Sequence, residues 1–164
     1  MVQVRVLGIA LDAAGQHVVL LNPVLEHSDA HRVLPIWIGP QEATSILVAI
    51  EGQEVPRPLS HDLMKTLLDT LGAQVERVEV TRIDEGTFYA EITLLTPNGR
   101  RTVDARPSDA IALAVRTAAE IWVADDVLND AGIPAEFADP RPDEEKLEEF
   151  KEFLEDVDPE DFRG

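Results

Sequence analysis

The stretch DARPSDAIALAVR, residues 104–116, joins the end of an apolar strand to the start of a helix within six residues. Pro107 suits a first helical turn, because the N–H that proline lacks would have no helical partner there. We therefore predict a strand that ends at Ala105 and a helix that begins at Pro107 and runs to about Ala119. This junction concentrates two carboxylates, a guanidinium and a hydroxyl: Asp104, Arg106, Ser108 and Asp109.

Outward from this junction, apolar periodicity and turn residues predict strands and helices along most of the chain. Strands are predicted at 2–11, 16–21, 33–38, 75–83, 87–96, 100–105 and 121–123. Helices are predicted at 40–50, 58–71, 107–119 and 125–131. Asp12–Gly15 and Pro97–Gly99 are turn sequences between strands, so two hairpins are expected. Trp37, Phe88, Tyr89 and Trp122 lie on apolar strands and are predicted in the core, too scattered to form a stacking platform for single strands.

The composition of the 164 residues, 45% hydrophobic and 28% charged, is that of a chain able to fold around a core. There is no cysteine, which excludes disulfides and thiolate chemistry. No apolar run reaches the roughly 18 residues that a bilayer-spanning helix needs, so no membrane association is predicted. The N-terminus MVQVRVLGIALD has the pattern of a strand and not of a signal peptide, and a cytoplasmic location is expected.

Charge divides the chain into two parts. The formal net charge is −18, and residues 136–164 contribute 13 acids against 4 bases. We therefore separate a domain over residues 1–135 from an acidic linker and C-terminal helix over 136–164. The segment DEEKLEEFKEFLEDV (143–157) carries a narrow apolar stripe on an acidic helix. This helix is either a solvated surface element or a contact for a partner protein.

Three predicted helices begin alike, with a proline and an acid in the first turn. Glu42, Ser60, Asp62, Ser108 and Asp109 are all explained as capping devices. Arg57 and Arg106 each precede a proline, and so lie in extended chain at the mouth of a helix. A guanidinium beside free helical N–H groups is suited to binding a phosphate, and the alternative is an arginine–carboxylate pair that fixes the loops.

Acidic residues at these helix starts could also hold a hard divalent cation. Asp104 and Asp109, with Glu42, are the predicted ligands of Mg²⁺ or Mn²⁺. His61, whose protonation Asp62 could set, is the candidate general base or acid, and the alternative is a structural histidine.

Four stretches together resemble the bifunctional nuclease domain: LPIWIGPQEATSI (34–46), RPLSHDLM (57–64), GTFYAEI (86–92) and DARPSDAIALAVR (104–116). They occur in the order found in that family, and the resemblance covers about residues 1–135. It implies an α/β domain of the α+β type, with a mixed, largely antiparallel sheet and flanking helices. It also implies a homodimer and an activity that cleaves both DNA and RNA.

Two functional hypotheses follow. In the first, the protein is a metal-dependent nuclease. Its catalytic residues are His61, Asp62, Asp104 and Asp109, and Arg57, Arg106 and Ser108 bind the substrate phosphate. In the second, which the acidic charge favours, the chain is a non-catalytic regulatory module that binds a small anion, a nucleotide or a partner protein.

Overall fold

A computed structural model of the chain describes residues 1–25 and 31–137, which form eight strands and four α-helices. The strands are β1 (Val2–Leu11), β2 (His17–Pro23), β3 (Arg32–Ile38), β4 (Gln74–Asp84), β5 (Thr87–Thr96), β6 (Gly99–Ala105), β7 (Glu120–Val123) and β8 (Ile133–Pro134). The helices are α1 (Pro40–Ile50), α2 (Ser60–Thr70), α3 (Pro107–Thr117) and α4 (Asp125–Ala131). None of the helices in the described ranges is long and apolar enough to cross a bilayer.

The strands form one sheet in the order β6-β5-β4-β7-β1-β2-β3-β8. Every neighbouring pair is antiparallel except β4 with β7, which is parallel. This arrangement confirms the predicted α+β domain with a mixed, largely antiparallel sheet. It also confirms the two hairpins predicted from turn residues, β1–β2 and β5–β6.

Helix α3 is the centre of the core. Seven of its eleven residues are buried, and it contacts α1, α2 and the strands β4, β5 and β7. The small residues Ala110, Ala112 and Ala114 allow neighbouring elements to approach closely, while Ile111 fills the space between them. The N-terminus of α3 is thereby held at a fixed place against α1 and α2.

Two strands that lie far apart in the sheet line one cleft. Residues at the end of β3 (Ile36–Ile38) and at the tip of the β4–β5 hairpin (Gly86–Phe88) line the same cleft, although β3 and β5 are far apart in the strand order. The start of α3 closes the cleft from a third side. The twist between neighbouring strands turns distant strands relative to one another, so their ends can face the same cleft.

Two expectations are corrected. Trp37 was predicted in the core, but it is 52% exposed because β3 turns its side chain toward the cleft. No strand was predicted after 121–123, yet Ile133–Pro134 pairs with Val33 and Arg32 of β3 as strand β8. The acidic helix predicted over 143–157 lies outside the described residues.

Candidate functional site

Arg106 joins the N-termini of two helices. It is extended, with φ −69° and ψ 143°, as the following proline requires. Its Nε donates to Asp109 Oδ2 at 2.8 Å, and its Nη2 donates to Asp109 Oδ1 at 3.2 Å and to Glu42 Oε1 at 3.0 Å. The hydrogen bonds that Arg106 donates to Asp109 and Glu42 raise the pKa of its guanidinium. The arginine–carboxylate pair, given above as the alternative to a phosphate site, is therefore present at Arg106 with Asp109, and it extends to a second acid on α1.

Glu42 reaches Arg106 by folding back over the first turn of α1. Gly39, which caps this helix, has no side chain, and a Cβ added there would collide with the Glu42 carboxylate. A glycine at this position therefore leaves the space in which the Glu42 carboxylate lies beside Arg106.

His61 lies beneath this cluster and is only 6% exposed. Its Nε2 is 2.9 Å from Asp109 Oδ1, and its Nδ1 is 2.6 Å from Ser45 Oγ. Burial acts to raise the pKa of Asp109, but hydrogen bonds from Arg106 and His61 outweigh it and lower that pKa. An ionised carboxylate only accepts hydrogen bonds, so Nε2 of His61 carries a proton. On the other side of the ring, Nδ1 of His61 and Oγ of Ser45 form the second hydrogen bond.

Arg116 is buried near the C-terminal end of α3 and bonds Ser45, the residue on the other side of His61. Its side chain is 5% exposed, and its Nε donates to Asp62 Oδ1 at 2.7 Å. Its Nη2 donates to the carbonyl oxygen and to Oγ of Ser45, both at 3.0 Å. Burial acts to raise the pKa of Asp62, but the bonds from Arg116 and from the Leu59 N–H lower it. Asp62 therefore caps the N-terminal end of α2, as predicted, and it also supplies the counter-charge for the buried guanidinium of Arg116.

A continuous hydrogen-bonded network thus runs through three helices: Arg116, Ser45, His61, Asp109, Arg106 and Glu42. Sequence reasoning missed Ser45 and Arg116. Arg116 follows Asp109 by seven residues, two helical turns, and therefore lies on the same face of α3. Ser45 follows Glu42 by three residues on α1, which likewise places the two on one side of their helix. These two helical spacings were the signal in the sequence that could have identified Ser45 and Arg116.

The other predicted site residues lie apart from this network. Asp104 is exposed on the edge strand β6, opposite Glu91 of β5, and alternation along β6 turns it to the face away from α3. Arg57 is exposed in the loop before α2, and it forms no ion pair with any described residue. Ser108 is buried beside the cleft. Within residues 1–25 and 31–137, no three His, Cys, Asp or Glu side chains are grouped closely enough to hold a metal ion.

The fold and the network define an α+β domain in which two helix N-termini share an arginine and two carboxylates. A family model described as the bifunctional nuclease domain matches residues 23–136. The chain belongs to the bifunctional nuclease domain family.

Relatives extend this family from bacteria to plants. An uncharacterized protein of Mycobacterium tuberculosis is 41% identical over 99% of this chain and 98% of its own length. Bifunctional nuclease 1 of Oryza sativa subsp. japonica is 29% identical over 68% of this chain and 34% of its own length. Bifunctional nuclease 2 of Arabidopsis thaliana is 30% identical over 56% of this chain and 29% of its own length. The similarity to the plant proteins is thus confined to about a third of each.

Proposed function

We propose that this protein is a nuclease that hydrolyses phosphodiester bonds in DNA and RNA with the help of a divalent metal ion. Family membership supports the proposal, since relatives carry the name bifunctional nuclease. The observation that carries it is the cluster of Arg106, Glu42 and Asp109 at the edge of a cleft of about 750 Å³.

The negative net charge of this cluster favours binding of a cation. Two carboxylates against one guanidinium leave a net charge of −1, within a chain whose formal charge is −18. A phosphodiester would be repelled by such a site unless a cation neutralised it. Mg²⁺ commonly uses one or two protein carboxylates and completes its shell with water and phosphate oxygens. Glu42 and Asp109 fit that requirement, whereas Asp104 on the far face of the sheet does not.

Each residue of the network then has a distinct role. Glu42 and Asp109 would hold the metal ion, which supplies neutralisation of the charge that develops on phosphate oxygens. Arg106 would bind a phosphate oxygen through its exposed guanidinium. His61 positions Asp109 from below, and Ser45 with Arg116 holds the imidazole ring of His61 in its orientation. Asp62 keeps Arg116 neutralised inside the protein.

The test is cleavage of single-stranded DNA and RNA by highly purified protein in Mg²⁺, in Mn²⁺ and in EDTA. We expect cleavage in the metals and none in EDTA. Asp109→Asn and Arg106→Ala should each lower the rate at least about a hundredfold, the scale of losing one electrostatic group at a reacting centre.

Asp69→Asn is the matched control, because Asp69 is an exposed acid of α2 whose one ion pair among the described residues is with Lys65 in the same helix. Its rate should equal that of the wild type. A wild-type rate retained by Asp109→Asn and Arg106→Ala would show that contaminating enzyme or another site is responsible, and would refute the proposal.

A second candidate is a non-catalytic module that binds an anion or nucleotide. It is favoured by the saturation of the network, in which both ring nitrogens of His61 and both carboxylates beside Arg106 already have partners. Thermal-shift measurements separate the two candidates. Stabilisation by a mononucleotide without any turnover supports the module, and metal-dependent cleavage supports the nuclease.

A further inference from the structure

The cleft beside the network has the size of a small-ligand site. Its volume of about 750 Å³ falls within the range of roughly 300–1,000 Å³ usual for such sites. One wall comes from the β2–β3 region with Trp37, another from the β4–β5 turn with Phe88, and a third from the start of α3. The cleft therefore presents aromatic and polar groups side by side.

Trp37 presents an aromatic surface to this cleft. Its side chain is 52% exposed, although tryptophan is usually well buried. Its Nε1 donates to Asp12 Oδ2 at 2.8 Å, which fixes the indole from one end. Partial burial acts to raise the pKa of Asp12, but the bonds from Trp37 and the local backbone lower it, so the acceptor stays ionised. A fixed, exposed indole is a surface on which a flat ring can stack.

The start of α3 presents hydrogen-bond donors to the same cleft. Arg106 uses Nε and Nη2 for its carboxylate partners, while Nη1 has no partner among the described residues. Ser108 is 94% buried (6% exposed) and lines the cleft, yet its hydroxyl forms no hydrogen bond with any residue in the described ranges. The N–H of Ser108 also lies in the first helical turn, where N–H groups have no intrahelical acceptor. These groups are suited to an anion such as a phosphate.

We propose that this cleft binds one unpaired nucleotide of a nucleic-acid strand, with its base stacked on Trp37 and its phosphate at Arg106 and Ser108. The inference deepens the proposed nuclease function, on which it rests, by naming single-stranded nucleic acid as the substrate class. A base inside a duplex is already stacked on both faces and paired at its edge. Only an unpaired base can therefore place a free face on the indole.

The chain offers a direct spectroscopic test, because it has two tryptophans and only Trp37 lines the cleft. In Trp122→Phe, Trp37 is the sole indole, and in Trp37→Phe, Trp122 is the sole indole. Each variant is titrated with a thymidine pentanucleotide, a blunt-ended DNA duplex long enough to stay fully paired at the assay temperature, thymidine monophosphate and inorganic phosphate. All titrations are run both with EDTA and with Ca²⁺, and intact oligonucleotide is verified by gel.

The expected result is quenching of Trp37 fluorescence by the single strand, and more weakly by the monophosphate, with no quenching by duplex or inorganic phosphate. The fluorescence of Trp122 should not respond. Trp37→Leu should weaken binding of a fluorescein-labelled pentanucleotide about tenfold, whereas Trp122→Leu should leave it unchanged. Circular dichroism of each variant verifies that it is folded.

Absence of Trp37 quenching in both buffers would overturn the proposal. Equal affinity for monophosphate and single strand, or equal quenching by duplex, would overturn the assignment to an unpaired strand. The cleavage assay is separate from these readouts. Cleavage without quenching would support the nuclease activity and refute the nucleotide site in this cleft. Quenching without cleavage would support the nucleotide site and refute the nuclease activity.

Discussion

His61 Nε2 lies 2.9 Å from Asp109 Oδ1, although 48 positions separate the two residues in the chain. This contact connects the first turn of α2 to the first turn of α3, and it fixes the carboxylate that Arg106 also binds. The buried histidine thus contacts the surface cluster through Asp109, and we propose that it positions this carboxylate for Arg106.

Glutamine and asparagine at position 61 should separate this positioning role from proton transfer. In His61→Gln the side-chain amide can reach the place of Nε2 and donate to Asp109, whereas in His61→Asn it is too short. We expect His61→Asn to lose about 2 kcal/mol of stability, because buried partners lose their hydrogen bonds, and His61→Gln to lose less. The measurement is urea unfolding, combined with the cleavage rate. A rate abolished equally in both variants would favour proton transfer by His61.

The ion pair between Asp62 and Arg116 should contribute to folding. Arg116 is buried, so Asp62→Asn leaves a buried guanidinium without its counter-charge. Asp62 is itself a third exposed, which reduces the penalty that a fully buried pair would carry. We expect a loss of about 2 kcal/mol in the free energy of unfolding. The control is Asp69→Asn on the same helix, and a loss of equal size in that variant would contradict the prediction.

Acid should destabilise the protein through the same carboxylates. The pKa values of Asp62 and Asp109 are lowered from 3.8 in the folded state. Their contribution to stability is therefore complete above the unfolded value and is lost as the pH falls through the folded values. Unfolding measured from neutral pH to about pH 3 should show this decline. In Asp109→Asn the decline should be shallower, and an unchanged slope would refute the assignment.

Substitution of Gly39 should lower the cleavage rate and leave the stability of the fold nearly unchanged. In Gly39→Ala the added Cβ collides with the end of the flexible Glu42 side chain, which can move away from Arg106. We expect cleavage to weaken as in Glu42→Gln, with stability changed by less than about 1 kcal/mol because Gly39 caps α1 in an ordinary extended conformation. Gly8→Ala is the control, since no atom lies near its added Cβ. Full activity in Gly39→Ala would show that Glu42 has no role in the site.

The predicted homodimer has a candidate surface on α2. Leu63, Met64 and Leu67 are each at least 40% exposed, so the apolar side of this helix is uncovered in the described part of one chain. We expect light scattering to give twice the chain mass of 18.1 kDa, and Leu67→Glu to shift it toward the monomer. Thr66→Glu, on the polar side of α2, is the matched control. A monomer mass for the wild type would contradict the prediction.

Local patterns were sufficient for most elements of secondary structure. The bounds of β1, α1, β5 and α4 match their predicted ranges, because apolar periodicity, prolines and glycines act within a few residues. β8 was not predicted, because a strand of two residues is too short to show alternating hydrophobicity. Its pairing with β3 depends on Arg32 and Val33, which are distant in the chain.

Neighbours in the chain were enough to predict where α1, α3 and α4 begin and that Arg106 is extended before Pro107, because these features depend on residues a few positions away. The contacts of Glu42 with Arg106 and of His61 with Ser45 and Asp109 became visible in the folded structure alone. The same holds for the outward face of Asp104 and the exposure of Trp37. These relationships depend on strand order and helix packing, which sum over many weak contacts between residues far apart in sequence and leave no local signal.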